Sequence, residues 1–120
     1  MNEIKAVRIY DKEQPVGYRI LVDRLWPRGI SKVKTNLDEW DKEIGPTTEL
    51  RKWFNHEDNK FAEFRSKYIA QLKSNPVTPA FIKNVEEKLT QEDVIFLYGA
   101  KNKKYNQAVV LKAFIDSQLN

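Results

Sequence analysis

The chain of 120 residues contains no cysteine, which excludes disulfide bonds, thiolate nucleophiles, zinc–thiolate sites and iron–sulfur clusters. Its single histidine excludes a metal site built from several imidazoles, and we expect neither a metal nor a cofactor. No apolar run approaches the ~20 residues needed to cross a bilayer, and the N-terminus lacks the pattern of a signal peptide. We therefore expect a cytoplasmic protein that does not associate with membranes.

A strong excess of one charge is also absent, since 21 basic residues face 17 acidic residues and leave a net charge of +4. This balance favours an anionic partner, but acidic residues are interspersed throughout and no segment is uniformly basic. Internal repeats, low-complexity tracts and Gly/Ser linkers are missing as well. Because 120 residues is near the usual size of one domain, we predict a single domain over residues 1–120.

Short β-rich segments that alternate with amphipathic segments predict an α/β fold. The predicted strands cover residues 4–10, 18–23 and 94–98. The last of these is fully apolar, which is typical of a central parallel strand that is covered on both faces. Apolar residues at helical spacing predict four helices, which begin near Thr47, Phe61, Thr78 and Asn106. The fold class is therefore α/β, with a mostly parallel sheet of three or four strands flanked by helices.

The segment 35–44 fits both periodicities. Leu37, Trp40 and Ile44 fall at helical spacing, while Trp40, Lys42 and Ile44 alternate as in a strand. The pattern alone does not decide between them.

The stretch 17–30 is a short apolar strand that runs directly into a loop rich in functional groups. That loop carries Asp23, Arg24, Trp26, Pro27, Arg28 and Gly29. In parallel α/β sheets, ligands bind outside the carboxyl ends of the strands. We therefore expect this loop to share a crevice with the lysine-rich loop 99–105, and Arg28 is the best single candidate for ligand contact.

The candidate site is predicted to be cationic. Arginine binds phosphate or carboxylate through two hydrogen bonds, glycine permits close backbone approach, and a helix N-terminus beside lysines attracts anions. The candidate ligand-binding residues are Arg24, Trp26, Arg28, Gly29, Arg51, Tyr98, Lys101 and Asn106. Asp23 and His56 are the candidate catalytic residues, because a carboxylate or an imidazole can act as a general base.

These candidates also have structural interpretations. Asp23 with Arg24 and Arg28 fits an ion-pair network that fixes the loop equally well. Trp26 is more typical of a core residue than of a stacking surface, and His56 of a residue at a helix C-terminus. No Ser/His/Asp set, carboxylate pair or Walker-type loop can be assigned, so the sequence predicts no reaction.

Six segments carry a more specific similarity: residues 18–29 (YRILVDRLWPRG), 37–40, 49–56, 64–68, 97–101 and 106–111. Together they resemble the YeaO-like branch of a domain-of-unknown-function family. The resemblance implies that residues 37–42 form a strand, and it implies no established activity. The wider family often has a cysteine at the end of its last strand and a Cys-His-Arg motif at the start of its last helix. Tyr98 and the pair Asn106 and Gln107 occupy those places here, so thiol chemistry is not implied.

Three functional hypotheses follow. The favoured one is a cytoplasmic protein with a site for a small anionic, phosphate-bearing ligand at the carboxyl edge of the sheet. A nucleic-acid-binding module is the first alternative, and it has weak support because no helix carries a dense basic stripe. The second alternative is a partner-binding or oligomeric domain with an apolar patch around Trp40 or Trp53. The sequence indicates neither catalysis nor an oligomeric state.

Overall fold

The computed structural model describes residues 2–119, and within them it contains four parallel strands and four α-helices. The strands are β1 (Ile4–Arg8), β2 (Tyr18–Leu21), β3 (Glu39–Trp40) and β4 (Val94–Tyr98). The helices are α1 (Thr48–Phe54), α2 (Phe61–Ser74), α3 (Thr78–Leu89) and α4 (Gln107–Leu119). Single turns of 3₁₀-helix cover Lys42–Ile44 and Asp58–Lys60. The predicted α/β fold with a parallel sheet is confirmed.

The sheet has the order β1-β4-β2-β3, and each neighbouring pair is parallel. β4 is central and fully buried, as its apolar run predicts. Ile4 and Tyr18 both pair with Val94, so β1 and β2 begin at the same level on either side of β4. The carboxyl ends of these three strands therefore meet at one edge of the sheet.

The segment 35–44 forms an edge strand of two residues followed by a 3₁₀ turn. Glu39 and Trp40 pair with Ile20 and Leu21 of β2, which gives the segment the extended structure that the family resemblance implies. Pairing with β2 therefore determines the conformation of this segment, and the helix that the spacing of its apolar residues would allow does not form.

Alternating strand residues divide the core into two clusters. One cluster contains the β4 residues Val94, Phe96 and Tyr98 together with residues from all four α-helices. The other contains Ile95 and Leu97 on the opposite face, and within residues 2–119 it includes no helical residue. Its covering side chains come from loops and from β3: Trp26, Ile30, Leu37 and Trp40. The helices thus lie on one face of the sheet, and the segment 26–40 covers the other.

None of the helices in the described range combines the length and the apolar composition that a membrane crossing requires.

Candidate functional site

A cleft of about 630 Å³ lies at the carboxyl edge of the sheet, where the loops after β1, β2 and β4 meet. The loop after β2 contributes residues 23–28, and the loop after β4 contributes residues 99–102 and 105–107. α1 and α2 supply an apolar floor through Phe54 and Phe64, whose rings stack with centroids 4.3 Å apart. The structure thus brings together the two loops that were expected to share a crevice.

Most of the residues predicted from the sequence line this cleft: Asp23, Arg24, Trp26, Arg28, Arg51, His56, Lys101 and Asn106. Gly29 and Tyr98 do not line it. Gly29 has a φ of +74°, so its role is to allow the turn that follows Arg28. Tyr98 is 2% exposed and belongs to the core cluster on the helical face of the sheet.

Asp23 is the only carboxylate among the described residues that line the cleft. One carboxylate oxygen accepts the backbone N–H of Gly99 at 2.8 Å, and the other accepts the side-chain amide of Gln107. Burial raises the pKa of Asp23 to about 6, although the Gly99 N–H, the Arg51 charge and the Gln107 amide all favour ionisation. Its carboxylate is therefore held by neutral donors and not by a bonded cation.

The arginines of the loop after β2 have different surroundings. Arg24 donates from Nε to the carbonyl of Pro46 at 2.9 Å and from Nη2 to that of Gly45 at 3.0 Å. It therefore fixes the loop to the segment before α1. Arg28 is exposed, and in the described chain neither arginine forms an ion pair with Asp23. The ion pairs of the alternative interpretation are therefore wrong, but Arg24 does have the structural role, fixing the loop, that this interpretation assigned.

Three cationic side chains of the cleft have no partner. Arg28, Arg51 and Lys101 line it, and none of their charged groups makes a hydrogen bond or an ion pair with another residue in 2–119. With Arg24, the cleft holds four cationic groups against the single carboxylate of Asp23. Such an excess of positive charge over an apolar floor attracts anions.

The N-terminus of α4 forms one wall of the cleft. Asn106 is 1% exposed, and its Oδ1 accepts the N–H of Val109 at 3.0 Å, so this side chain caps the helix that was predicted to begin near it. Its Nδ2 donates to the carbonyl of Asn102 at 2.8 Å. The side chain of Asn102 in turn accepts the N–H groups of Lys104 and Tyr105. The lysine loop is therefore ordered by two asparagines.

His56 lies at the rim, immediately after the end of α1. It is exposed, and both it and the cap residue Asn55 have positive φ, at 56° and 47°. Its imidazole makes no hydrogen bond with any described residue. A general base usually has an orienting partner, so the geometry does not place His56 in a catalytic pair. Within residues 2–119, no group of three or more His, Cys, Asp and Glu side chains is arranged to hold a metal.

Sequence reasoning missed several lining residues, of which Tyr10, Tyr105 and Gln107 are the most relevant. Tyr10 comes soon after β1, so the rule that ligands bind at the carboxyl ends of strands could have found it. Gln107 lies 84 residues from Asp23 in the chain, and no sequence signal predicts their contact.

The two tryptophans predicted as the centre of an apolar patch are half-buried. Trp40 donates from Nε1 to the carbonyl of Asp23 at 2.8 Å and packs edge-on against Trp26, with centroids 5.2 Å apart. Trp53 lies beneath the ammonium groups of Lys60 and Lys67, which are 5.1 and 4.1 Å from its ring centroid. Both rings are therefore engaged within the fold.

Comparison with known proteins places the chain in a family of unknown function. Residues 3–120 match a family model described as the inactive DUF488-N3 subclade. The uncharacterized protein YeaO of Escherichia coli (strain K12) is 47% identical over 115 residues, which cover 95% of this chain and 97% of that protein. The uncharacterized protein Rv3073c of Mycobacterium tuberculosis is 40% identical over 72 residues, 59% of this chain and 61% of that one. No solved structure matches. Because the family model spans nearly the whole chain, the protein belongs to the inactive DUF488-N3 subclade, and the resemblance to YeaO-like proteins is confirmed.

Proposed function

We propose that this protein binds a small phosphate-bearing ligand in the cleft and that it does not catalyse a reaction there. The observation that carries the proposal is the set of three unpartnered cations, Arg28, Arg51 and Lys101, around one cleft. Cationic side chains that lack a protein partner have their hydrogen-bonding capacity available for an anion. Guanidinium groups in particular match the geometry of phosphate oxygens.

Two further features support an anionic ligand. The N-terminus of α4, a helix of 13 residues, lines the same cleft and presents backbone N–H groups beside the lysine loop. The apolar floor formed by Phe54 and Phe64 lowers the local dielectric constant. A lower dielectric constant strengthens the attraction between the cations and a bound anion. A volume of about 630 Å³ suits a small molecule.

Binding without catalysis is the better proposal for three reasons. Each oxygen of Asp23 already accepts a hydrogen bond from the protein, and His56 has no orienting partner among the described residues. The matching family is described as inactive. The nucleic-acid alternative has less support, because no helix of the described residues carries a dense basic stripe; on α2, for example, Glu63 pairs with Lys67.

The proposal is tested by thermal shift with ribose 5-phosphate and with inorganic phosphate. A ligand that binds only the native state raises the melting temperature by mass action. Arg28→Ala and Arg51→Ala are each expected to weaken ribose 5-phosphate binding about tenfold, the value of one charge-assisted hydrogen bond. Arg65→Ala is the matched control, because Arg65 is an exposed arginine of α2 that does not line the cleft.

The proposal fails if the wild type shows no shift with either ligand up to millimolar concentration. It also fails if Arg65→Ala reduces the shift as much as Arg28→Ala does, since the attraction would then come from net charge and not from the cleft.

A further inference from the structure

We infer that the ligand of the cleft carries a flat aromatic ring beside its phosphate, as a nucleoside monophosphate does, and that Tyr105 and Tyr10 contact this ring. The inference rests on the proposed function and names the chemical class of its ligand.

The first observation is the distribution of exposed apolar side chains. Five large hydrophobic residues are exposed in the described chain: Tyr10, Val16, Leu25, Val33 and Tyr105. Three of the five, Tyr10, Leu25 and Tyr105, line this one cleft. Scattered exposed apolar residues need no explanation, but their concentration in the cleft that also holds the unpartnered cations indicates a ligand with an apolar part.

The second observation is that both tyrosine rings are held in place. Tyr105 stacks on Phe61 with centroids 4.8 Å apart and an interplanar angle of 30°, yet 42% of Tyr105 remains exposed. Tyr10 donates its hydroxyl to the carbonyl of Arg28 at 2.7 Å, and the Arg8 guanidinium lies 4.7 Å from its ring centroid. Rings that are already ordered lose little conformational entropy when a planar group stacks on them.

The third observation is the position of the rings relative to the charges. The hydrogen bond of Tyr10 reaches the backbone of Arg28, and Tyr105 is in the same loop as Lys101. Each ring is thus adjacent in structure or in sequence to an unpartnered cation. One molecule that carries a phosphate and a flat ring can contact both the cations and the exposed parts of the rings, whereas inorganic phosphate can contact only the cations.

The same chemistry occurs in a free mononucleotide and in single-stranded nucleic acid. The cleft favours the mononucleotide, because its volume of about 630 Å³ accommodates a single small ligand.

Isothermal titration calorimetry with adenosine 5′-monophosphate, ribose 5-phosphate and a ten-residue deoxythymidine oligonucleotide tests the inference. We expect the monophosphate to bind the wild type about tenfold more tightly than ribose 5-phosphate, since stacking of a base on an aromatic side chain is worth a factor of about 5 to 160. Tyr105→Leu is expected to remove that difference and to leave the affinity for ribose 5-phosphate unchanged. Leucine keeps an apolar contact with Phe61, and equal unfolding midpoints in urea confirm that the variant is folded.

Each other outcome has a distinct meaning. Equal affinities for the two phosphates, unaffected by Tyr105→Leu, overturn the ring contact and leave phosphate binding standing. Absence of binding by both phosphates overturns the proposed function as well. An oligonucleotide that binds more than tenfold more tightly than the monophosphate, with an affinity that falls steeply with salt, overturns the mononucleotide in favour of nucleic acid.

Discussion

Replacement of Asp23 with asparagine is expected to raise the free energy of unfolding by about 3 kcal/mol at pH 8 and by less than about 1 kcal/mol at pH 4. Burial raises the pKa of Asp23 to about 6, from an ordinary value of 3.8. Between these two values the unfolded chain releases a proton that the folded protein retains, so ionisation opposes folding. The contribution of Asp23 to stability is therefore present at low pH and is lost as the pH rises through 6. Asparagine has no proton to lose, and the variant keeps its stability above pH 6.

The geometry allows asparagine at this position. Its carbonyl oxygen can accept the Gly99 N–H, and its amide can donate to Gln107 once the Gln107 amide rotates to present its oxygen. Urea denaturation of both proteins at pH 4, 6 and 8 measures the difference. Glu86→Gln is the control, because Glu86 is exposed on α3 and lies outside the cleft, so this variant loses the same charge without any change at Asp23. Parallel profiles for wild type and Asp23→Asn would contradict the expected linkage.

Replacement of Asn106 with alanine is expected to lower the free energy of unfolding by about 2 to 3 kcal/mol, through two lost interactions. The N–H of Val109 loses its cap, and the carbonyl of Asn102 loses a buried donor. Because the same side chain orders the loop that carries Lys101, we also expect weaker binding of ribose 5-phosphate. Urea denaturation and calorimetry on the same preparations measure both effects.

Asn106→Ser separates the two interactions. Serine retains an oxygen that can cap α4 but cannot reach the carbonyl of Asn102 as the longer amide does. We expect a smaller loss of stability than for alanine and a similar loss of ligand affinity. If alanine and serine destabilise the protein equally, the cap contributes nothing and this account of the α4 N-terminus is wrong.

The overall fold could be predicted because its determinants are local. The sequence pattern alone predicts which residues are buried in β4 and α2. All of the predicted residues are buried in the structure: the apolar run 94–98, and Phe64, Tyr68 and Leu72 at helical spacing. The edge strand Glu39–Trp40 was not decided by its own pattern, because its conformation is set by pairing with β2. Such pairing depends on residues about 20 positions away and not on neighbours in sequence.

The location of the candidate site was also predictable, whereas the partners of its side chains were not. The loops after β2 and β4 meet because parallel strands end at the same edge, a rule that needs only the topology. Arg24 was expected to contact a ligand, but in the structure its guanidinium binds the carbonyls of Gly45 and Pro46. Asp23 pairs with Gln107, a contact that exists only because α4 begins beside the cleft. Side-chain partners of this kind require the tertiary structure.

A loop and an edge strand, and not helices, cover the second face of the sheet. This difference has a consequence for local stability. The chain segment that closes this face through Trp26 and Trp40 also supplies a wall of the cleft, and the indole of Trp40 is bonded to the carbonyl of Asp23. We therefore expect amide hydrogens of β3 to exchange with solvent when this loop opens locally, at a lower free-energy cost than global unfolding. An occupied cleft would hold that layer closed, so slower amide exchange in an edge strand would report on a ligand that the strand does not touch.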